Sequence, residues 1–414
     1  MSFLIDENKK LRRQTSEAIA EPETLSVPLE TGGYSAAPLV KQGERVLKWQ
    51  KIADGELCVH APVTGVAEDV GEGYIVIKNE FSQDCAELFP ATKTIRELSG
   101  EDIAQIAKNA GIWCRQNGMP LYRVIEKCIG NASKMIINLC EDQPFVSSLY
   151  RLALEHPDEI TGGAKILMKA CGVRHAVIAV DSHKRNLIRI LREKCASTPL
   201  LKVKPISKRY PCENPRLLAY ILGSVEPDAS KSLPESGYAV FDGRACFDIY
   251  NALIKGIPSV SCTVSAAGDC ITTPKNLTVP IGTSASHIAQ YCGGFSKEPH
   301  KIINGGPFDG IAMWDADQPI GKDTCAVLTI SKEYYRKKET PCIRCGRCAS
   351  ACPMYLMPMK ITAAYDKGDM EKCRSYGAVS CIECGLCSYV CPANLQVSRK
   401  MHETLVKLRG ENDG

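Results

Sequence analysis

No stretch of this chain reaches the roughly 18 uninterrupted apolar residues that a membrane-spanning helix needs. Its start, "MSFLIDENKKLRRQ", lacks the long apolar core of a secretory signal. An excess of one charge is missing too. The net charge is +4 with acids and bases interspersed, so the basic footprint of a nucleic-acid binder is absent. These absences lead us to expect a cytoplasmic protein with no transmembrane segment and no nucleic-acid partner. Peripheral association with a membrane complex, on the inner face, stays open. What is present in quantity is cysteine, 22 residues in a chain of 414. Without an export signal, that number points to a reducing, anaerobic compartment rather than to a disulfide framework. The 44% apolar content is enough for about three or four domains with their own cores.

Eight of the cysteines fall in two near-copies, "CIRCGRCASACP" from Cys342 and "CIECGLCSYVCP" from Cys381. Each reads C-x-x-C-x-x-C-x-x-x-C-P, the bacterial ferredoxin run, in which three closely spaced thiolates wrap one cluster and the fourth reaches its neighbour. This spacing assigns Cys342, Cys345, Cys348 and Cys391 to one 4Fe–4S cluster. Cys381, Cys384, Cys387 and Cys352 go to a second. Structural zinc also uses C-x-x-C pairs, but it needs only four ligands from two pairs, whereas each run here holds four cysteines and a proline. The other fourteen cysteines are scattered through apolar segments and are expected to be small buried hydrophobes. Cys270, in the turn "AAGDCITTP", is read as a half-buried turn residue, with a redox thiol facing a partner as the alternative. His60 is read as packing or capping.

Residues 1–24 form a polar arm. Residues 25–91 alternate short apolar runs with Gly, Pro and Asp, the texture of a small β module. From 92 to 257 strand and helix patterns alternate: "KMIINLC", "HAVIAVD", "LLKVKPI" and "YAVFD" as strands, with "EDIAQIAKNAG", "HKRNLIRILREKC" and others as helices. Such alternation implies an open, largely parallel, Rossmann-like α/β sheet. β texture returns from 258 to 331. Residues 332–414 carry the cysteine runs on a mostly α-helical frame. The fold class expected is therefore multidomain α/β plus β.

This order of modules resembles the RnfC family. "APLVKQGERVLKWQKIADG…VHAPVTG" resembles its N-terminal barrel-sandwich module. "NLTVPIGTSASHIAQYCGGF" and "IINGGPFDGIAM" resemble its β-grasp, SLBB-type module, and the cysteine runs match its cluster domain. The resemblance implies electron transport and an α/β domain, like that of the complex I flavin subunit, that holds FMN and NADH. It also implies redox partners: a reductase, a ferredoxin or the Rnf complex itself.

The flavin site departs from the family pattern. Where the family has a GGAGFPT-type loop, whose glycines let backbone N–H groups approach a phosphate, this chain reads "GIWCRQNGMP". Gly118 and Pro120 remain, while Arg115, Gln116 and Asn117 place side chains where flavin would lie. Glu141 survives from the acidic strand end, and Tyr210 and Pro211 from the Tyr-Pro-Gly loop, whose glycine is lost. Asp242 stands near the family's asparagine. Together these losses argue against tight FMN and NADH binding and disfavour NADH oxidoreductase activity. Gly118, Glu141, Tyr210 and Pro211 are what the resemblance leaves of the site. The family's opening F-x-G-G-[IV]-H-P-P segment is missing as well. The chain thus resembles a paralogue of the Rnf subunit, of the kind that carries electrons to proline reductase in amino-acid-fermenting anaerobes. The alternative is an FMN-dependent NADH dehydrogenase subunit or a cobalamin reductase-like flavoprotein.

Overall fold

The computed structural model describes residues 10–87, 95, 97–207, 210–229, 231–334 and 338–410. The first nine residues of the polar arm and the boundary expected between residues 91 and 92 lie outside these.

The rest of the arm is tied to the second β module. After a 3-10 turn at Lys10–Arg13, Ser16–Ala18 forms an edge strand that pairs in parallel with Lys275–Pro280 of the second β module. Leu11 is buried with Val146, Ala267, Ala326 and Leu328. Polar composition hides this, because an edge strand needs only a backbone partner and an occasional apolar contact.

The first β module is two four-stranded sheets. One runs in the order Thr24–Pro28, Tyr74–Asn79, Gly65–Val70, Arg45–Val46, and the other Glu30–Thr31, Tyr34–Pro38, Lys51–Gly55, Val59–His60. Alternation drives the burial: Leu25, Val27, Ile75 and Ile77 are fully inside while their neighbours face outward. The second β module has Ser261–Gly268 and Ala326–Ile330 as parallel central strands, flanked by Lys275–Pro280 and by Lys301–Asn304 with Ile311–Ala312. Helix Ala285–Tyr291 starts at Ser284, whose hydroxyl accepts the His287 N–H. The two β modules share one apolar core, in which Val27, Val46 and Ile75 meet Val264, Leu277 and Ile288. Roughly 160 intervening residues separate them in sequence, so no local pattern reveals the merger.

Between them lies a four-stranded parallel sheet in the order Leu201–Ile206, His175–Asp181, Lys134–Asn138, Tyr238–Asp242. Chain order reverses beside Lys134–Asn138, which makes the crevice at the carboxyl ends of these strands the place where such sheets bind ligands. The cluster domain packs short helices, including Pro358–Tyr365 and Val397–Gly410, around Ile361, Cys373, Ala378, Met401 and Leu408. No described helix is long and apolar enough to cross a membrane.

Most cysteines outside the two runs are buried, as expected; Cys85 is exposed and Cys325 half-buried. Cys270 is completely buried rather than half-buried, and burial beside Asp269 pushes its thiol up to about 11. A buried, protonated thiol does not face a partner. His60 is buried, and burial together with Lys322 lowers its imidazole to about 3, so it packs as a neutral ring.

Candidate functional site

The eight clustered cysteines gather around two hollows. Cys342, Cys345, Cys348 and Cys391 line a cavity of about 600 Å3. Cys352, Cys381, Cys384 and Cys387 line a second, closer-walled one. The last cysteine of each run thus faces the other run's hollow. Equivalent positions in and just after the two runs adopt the same backbone. Arg344 and Glu383 have φ of 54° and 55°, Gly346 and Gly385 both 75°, and Tyr355 and Asn394 55° and 54°. For residues with a Cβ this left-handed geometry is costly and needs a local reason. One reason is visible: the Arg344 N–H points at Cys342 Sγ, and the Glu383 N–H at Cys381 Sγ, each at 3.4 Å. Four thiols around a hollow, with amides aimed at sulfur, fit a 4Fe–4S cluster in each place.

A third cavity, of about 490 Å3, opens at the carboxyl ends of the parallel strands. All four residues expected from the resemblance line it: Gly118, Glu141, Tyr210 and Pro211. Its wall also includes Cys384 and Glu383 of the second cysteine run. The link is direct, since Tyr210 Oη donates to the Cys384 carbonyl at 2.7 Å. Tyr210 also packs on Phe308 with ring centroids 4.6 Å apart, and Phe308 on Tyr389 at 5.5 Å.

The loop that replaces the glycine run is a 3-10 turn, Arg115–Asn117, closed by Gly118 at φ 60°. Asp242 holds it. One carboxylate oxygen accepts the Gln116 N–H at 3.0 Å, and the other caps helix Gly243–Tyr250 through the Ala245 N–H at 2.8 Å. Gln116 extends across the crevice. Its side-chain N–H group donates to the Glu213 carbonyl at 3.1 Å, and its carbonyl accepts from Asn138. Arg115 reaches Asp309 of the second β module at 2.6 Å. Asn117 departs from expectation: its side chain turns back and accepts the Cys114 S–H at 3.0 Å, away from the cavity. Asp242→Ala removes a helix cap and the anchor of this turn together. We expect it to cost about 1–2 kcal/mol, read as a lowered thermal midpoint.

Glu141 is buried and already engaged. Its carboxylate accepts the N–H groups of Leu149 at 2.8 Å and Tyr150 at 3.4 Å, at the start of helix Ser148–Glu155. Glu213 follows the Tyr210–Pro211 pair and lines the cavity. Burial pushes its carboxyl well up, and the Asp142 and Asp309 carboxylates push it further, against the pull of Arg115. Sequence reasoning misses the second β module's share of this wall: Asn304, Gly305, Phe308, Asp309 and Cys325. The glycine-rich stretch "INGGPFDG" is the available signal.

Three family models match the chain: an RnfC barrel sandwich hybrid domain over residues 4–86, a Nuo51 FMN-binding domain over 107–251, and a 4Fe-4S dicluster domain over 341–395. Among curated proteins, a subunit of the proton-translocating ferredoxin:NAD(+) oxidoreductase complex of Clostridium ljungdahlii is 30% identical, covering 86% of this chain and 82% of that one. A subunit of the ion-translocating oxidoreductase complex of Rhodobacter capsulatus is 32% identical over 92% of this chain and 77% of its own. Among solved structures, a chain of an NAD+-reducing NiFe-hydrogenase aligns with a TM-score of 0.53 at 11% identity, over 77% of this chain and 62% of that one. That likeness speaks for the fold alone. A barrel-sandwich module, a flavin-type α/β domain and a ferredoxin domain follow one another along the chain, and with about 30% identity to these relatives across more than four-fifths of its length it belongs to the RnfC family of iron–sulfur electron-transport subunits.

Proposed function

We propose that this protein passes single electrons through two 4Fe–4S clusters between a redox donor and an acceptor protein, with its α/β domain serving as the docking platform. Cys342, Cys345, Cys348 and Cys391 would hold one cluster, and Cys381, Cys384, Cys387 and Cys352 the other. Bound there, the clusters supply one-electron exchange. The observation that carries the reading is that Cys384 faces both the second hollow and the strand-end cavity, so the electron-carrying end and the family's ligand-binding end meet at one residue. The protein's own groups position this junction: Tyr210 fixes the Cys384 carbonyl, and the Phe308 and Tyr389 rings cover it.

In this reading, flavin is not tightly held. Gln116 bridges Asn138 and the Glu213 carbonyl, and Arg115 pairs with Asp309, across the space that the family loop leaves open with glycines. The β-rich segment 258–331 is the SLBB-type β-grasp module, its parallel central pair and single helix supporting that assignment. The partners are redox proteins: a ferredoxin, a membrane-bound ion-translocating complex like those of the relatives, or a fermentative reductase such as proline reductase. The protein works in the cytoplasm or docks on the inner face of the membrane.

A second reading keeps FMN and NADH oxidation. It is favoured by the convergence of Gly118, Glu141, Tyr210 and Pro211 on one cavity of ligand size, and by the match to an FMN-binding domain. One measurement separates the two. Protein purified without oxygen is assayed for iron, sulfide and flavin, then mixed with NADH while cluster absorbance is followed. The carrier reading expects about eight irons per chain, no flavin and no bleaching. One FMN per chain with rapid bleaching would establish the second reading instead. If the side chains are the obstacle, Arg115→Gly with Gln116→Gly should tighten FMN binding by about tenfold or more, measured by fluorescence quenching.

A further inference from the structure

Beneath the strand-end cavity sits a group of side chains that neither reading uses. Cys140 follows strand Lys134–Asn138, Cys212 follows the Tyr210–Pro211 pair, and Asp181 ends strand His175–Asp181. All three are buried, and their sulfur and carboxylate atoms lie within 4.8 Å of one another. The two sulfurs adjoin each other, and Cys212 Sγ also lies 3.5 Å from Asp181 Oδ1. Lys184 Nζ is 2.6 Å from the other Asp181 oxygen. Cys140 forms part of the cavity wall.

We propose that Cys140 and Cys212 are a redox-active dithiol that stores two electrons beside the second cysteine run. The proposal rests on the electron-carrier reading. Single-electron carriers cannot by themselves exchange an electron pair, and in a chain that holds no tight flavin a dithiol supplies that capacity. Oxidation breaks two S–H bonds and forms one Sγ–Sγ bond. Two electrons leave to one-electron acceptors, the oxidised iron–sulfur clusters. The Cys212 proton passes to the Asp181 carboxylate and the Cys140 proton to water in the cavity. Reduction reverses each of these.

Three observations set this pair apart. Two other cysteines, Cys128 and Cys171, lie wholly in the apolar α/β core. At Cys140 and Cys212, by contrast, a carboxylate adjoins one thiol and a cavity adjoins the other. Moreover, the route to the second run is short: Cys212 is two residues from Tyr210, whose hydroxyl bonds the Cys384 carbonyl. A cation is the competing occupant of a Cys–Asp–Cys group. The Lys184 ammonium already pairs with the Asp181 carboxylate, and three donors fall short of the four that a structural zinc takes.

The test uses the full chain, purified anaerobically. Samples poised across a range of potentials are quenched in acid and alkylated, and their peptides mapped by mass spectrometry. Iron, zinc and flavin are measured on the same samples. We expect a Cys140–Cys212 linked peptide in the oxidised protein that disappears on reduction. We also expect uptake of about four electrons per chain in the wild type and about two in Cys140→Ala or Cys212→Ala at unchanged iron content. Absence of the linked peptide at every potential, with iron intact, would overturn the proposal. So would about one zinc per chain that is lost in Cys140→Ala. A wild type without iron would instead overturn the carrier reading, and peptide mapping, which needs no iron, keeps the two failures apart.

Discussion

Cys352→Ala should cost the protein the cluster of the second cysteine run, although Cys352 belongs to the first. The reason is geometric: Cys352 lines the hollow of Cys381, Cys384 and Cys387, and Cys391 that of Cys342, Cys345 and Cys348. Iron should fall from about eight to about four per chain. Double variants make the assignment sharp. Adding Cys384→Ala to Cys352→Ala should remove nothing further, because both changes strike one site. Adding Cys345→Ala should take iron to near zero. An uncrossed arrangement reverses the two outcomes, and iron analysis of the two proteins decides between them. Cys373→Ala is the control. Its sulfur is buried against the Ile361 carbonyl at 3.5 Å, inside the domain's apolar core, so this variant should keep its iron.

Crossing has a structural consequence. Each hollow is closed by a residue from the far run, so the helical arm between the runs cannot separate without opening both. Ile361, Cys373 and Ala378 of that arm pack on Met401 and Leu408 of the last helix. At the opposite end, Tyr210 and Phe308 join Ala351 and Leu386 in a small apolar contact between the cluster domain, the α/β sheet and the second β module. The cysteine-run domain and the strand-end cavity are thus held in fixed register by aromatic packing and the Tyr210–Cys384 hydrogen bond.

How legible this is in the sequence depends on the range of the interaction. Spacing within each cysteine run anticipates which four cysteines gather around each hollow, because the order of the run is itself a local geometry. Alternating patterns mark the four parallel strands and their helices, since each must bury its own apolar face. The four residues singled out for the cavity do converge there, yet Glu141 caps helix Ser148–Glu155, which no pattern in the sequence announces. The merger of the two β modules, the edge strand Ser16–Ala18 and the Cys140–Cys212 contact join residues far apart in sequence and leave no periodic trace. Central strand Ala326–Ile330 is equally silent, because its short apolar-rich run has no period to read.

Lys322 carries the least legible and most consequential of these contacts. It is a lone lysine in "IGKDTC", yet its buried Nζ donates to three backbone carbonyls: Gly111 at 2.6 Å, Cys58 at 3.1 Å and Ser259 at 3.3 Å. Cys58 lies in the first β module, Gly111 in the α/β domain and Ser259 at the start of the second β module. Space there is tight: a Cβ on Gly111 would come within 2.1 Å of the Cys58 carbonyl oxygen, at a φ of +62° that favours glycine in any case. Lys322→Met keeps the aliphatic stem and removes the donors, leaving three buried carbonyls unpaired. At about 1–3 kcal/mol for each such group, with incomplete additivity, the loss should be roughly 3–5 kcal/mol. We expect the thermal midpoint to fall by several degrees and the single transition to split as the β modules part from the α/β domain. The pH dependence has a definite sign. Burial lowers the Lys322 ammonium to about 8, with Asp248 partly opposing, so the unfolded chain holds this proton more tightly than the folded one. The titrating part of the Lys322 contribution to stability is therefore complete only above the ordinary lysine range, near about 10, and is lost as pH falls through about 8, while the contacts to the three carbonyls persist on either side. The deficit of Lys322→Met relative to wild type should widen between about pH 8 and 10. A deficit that is flat across this window, or a midpoint unchanged at its lower end, would mean that the three carbonyls find other donors and that the modules do not depend on this lysine.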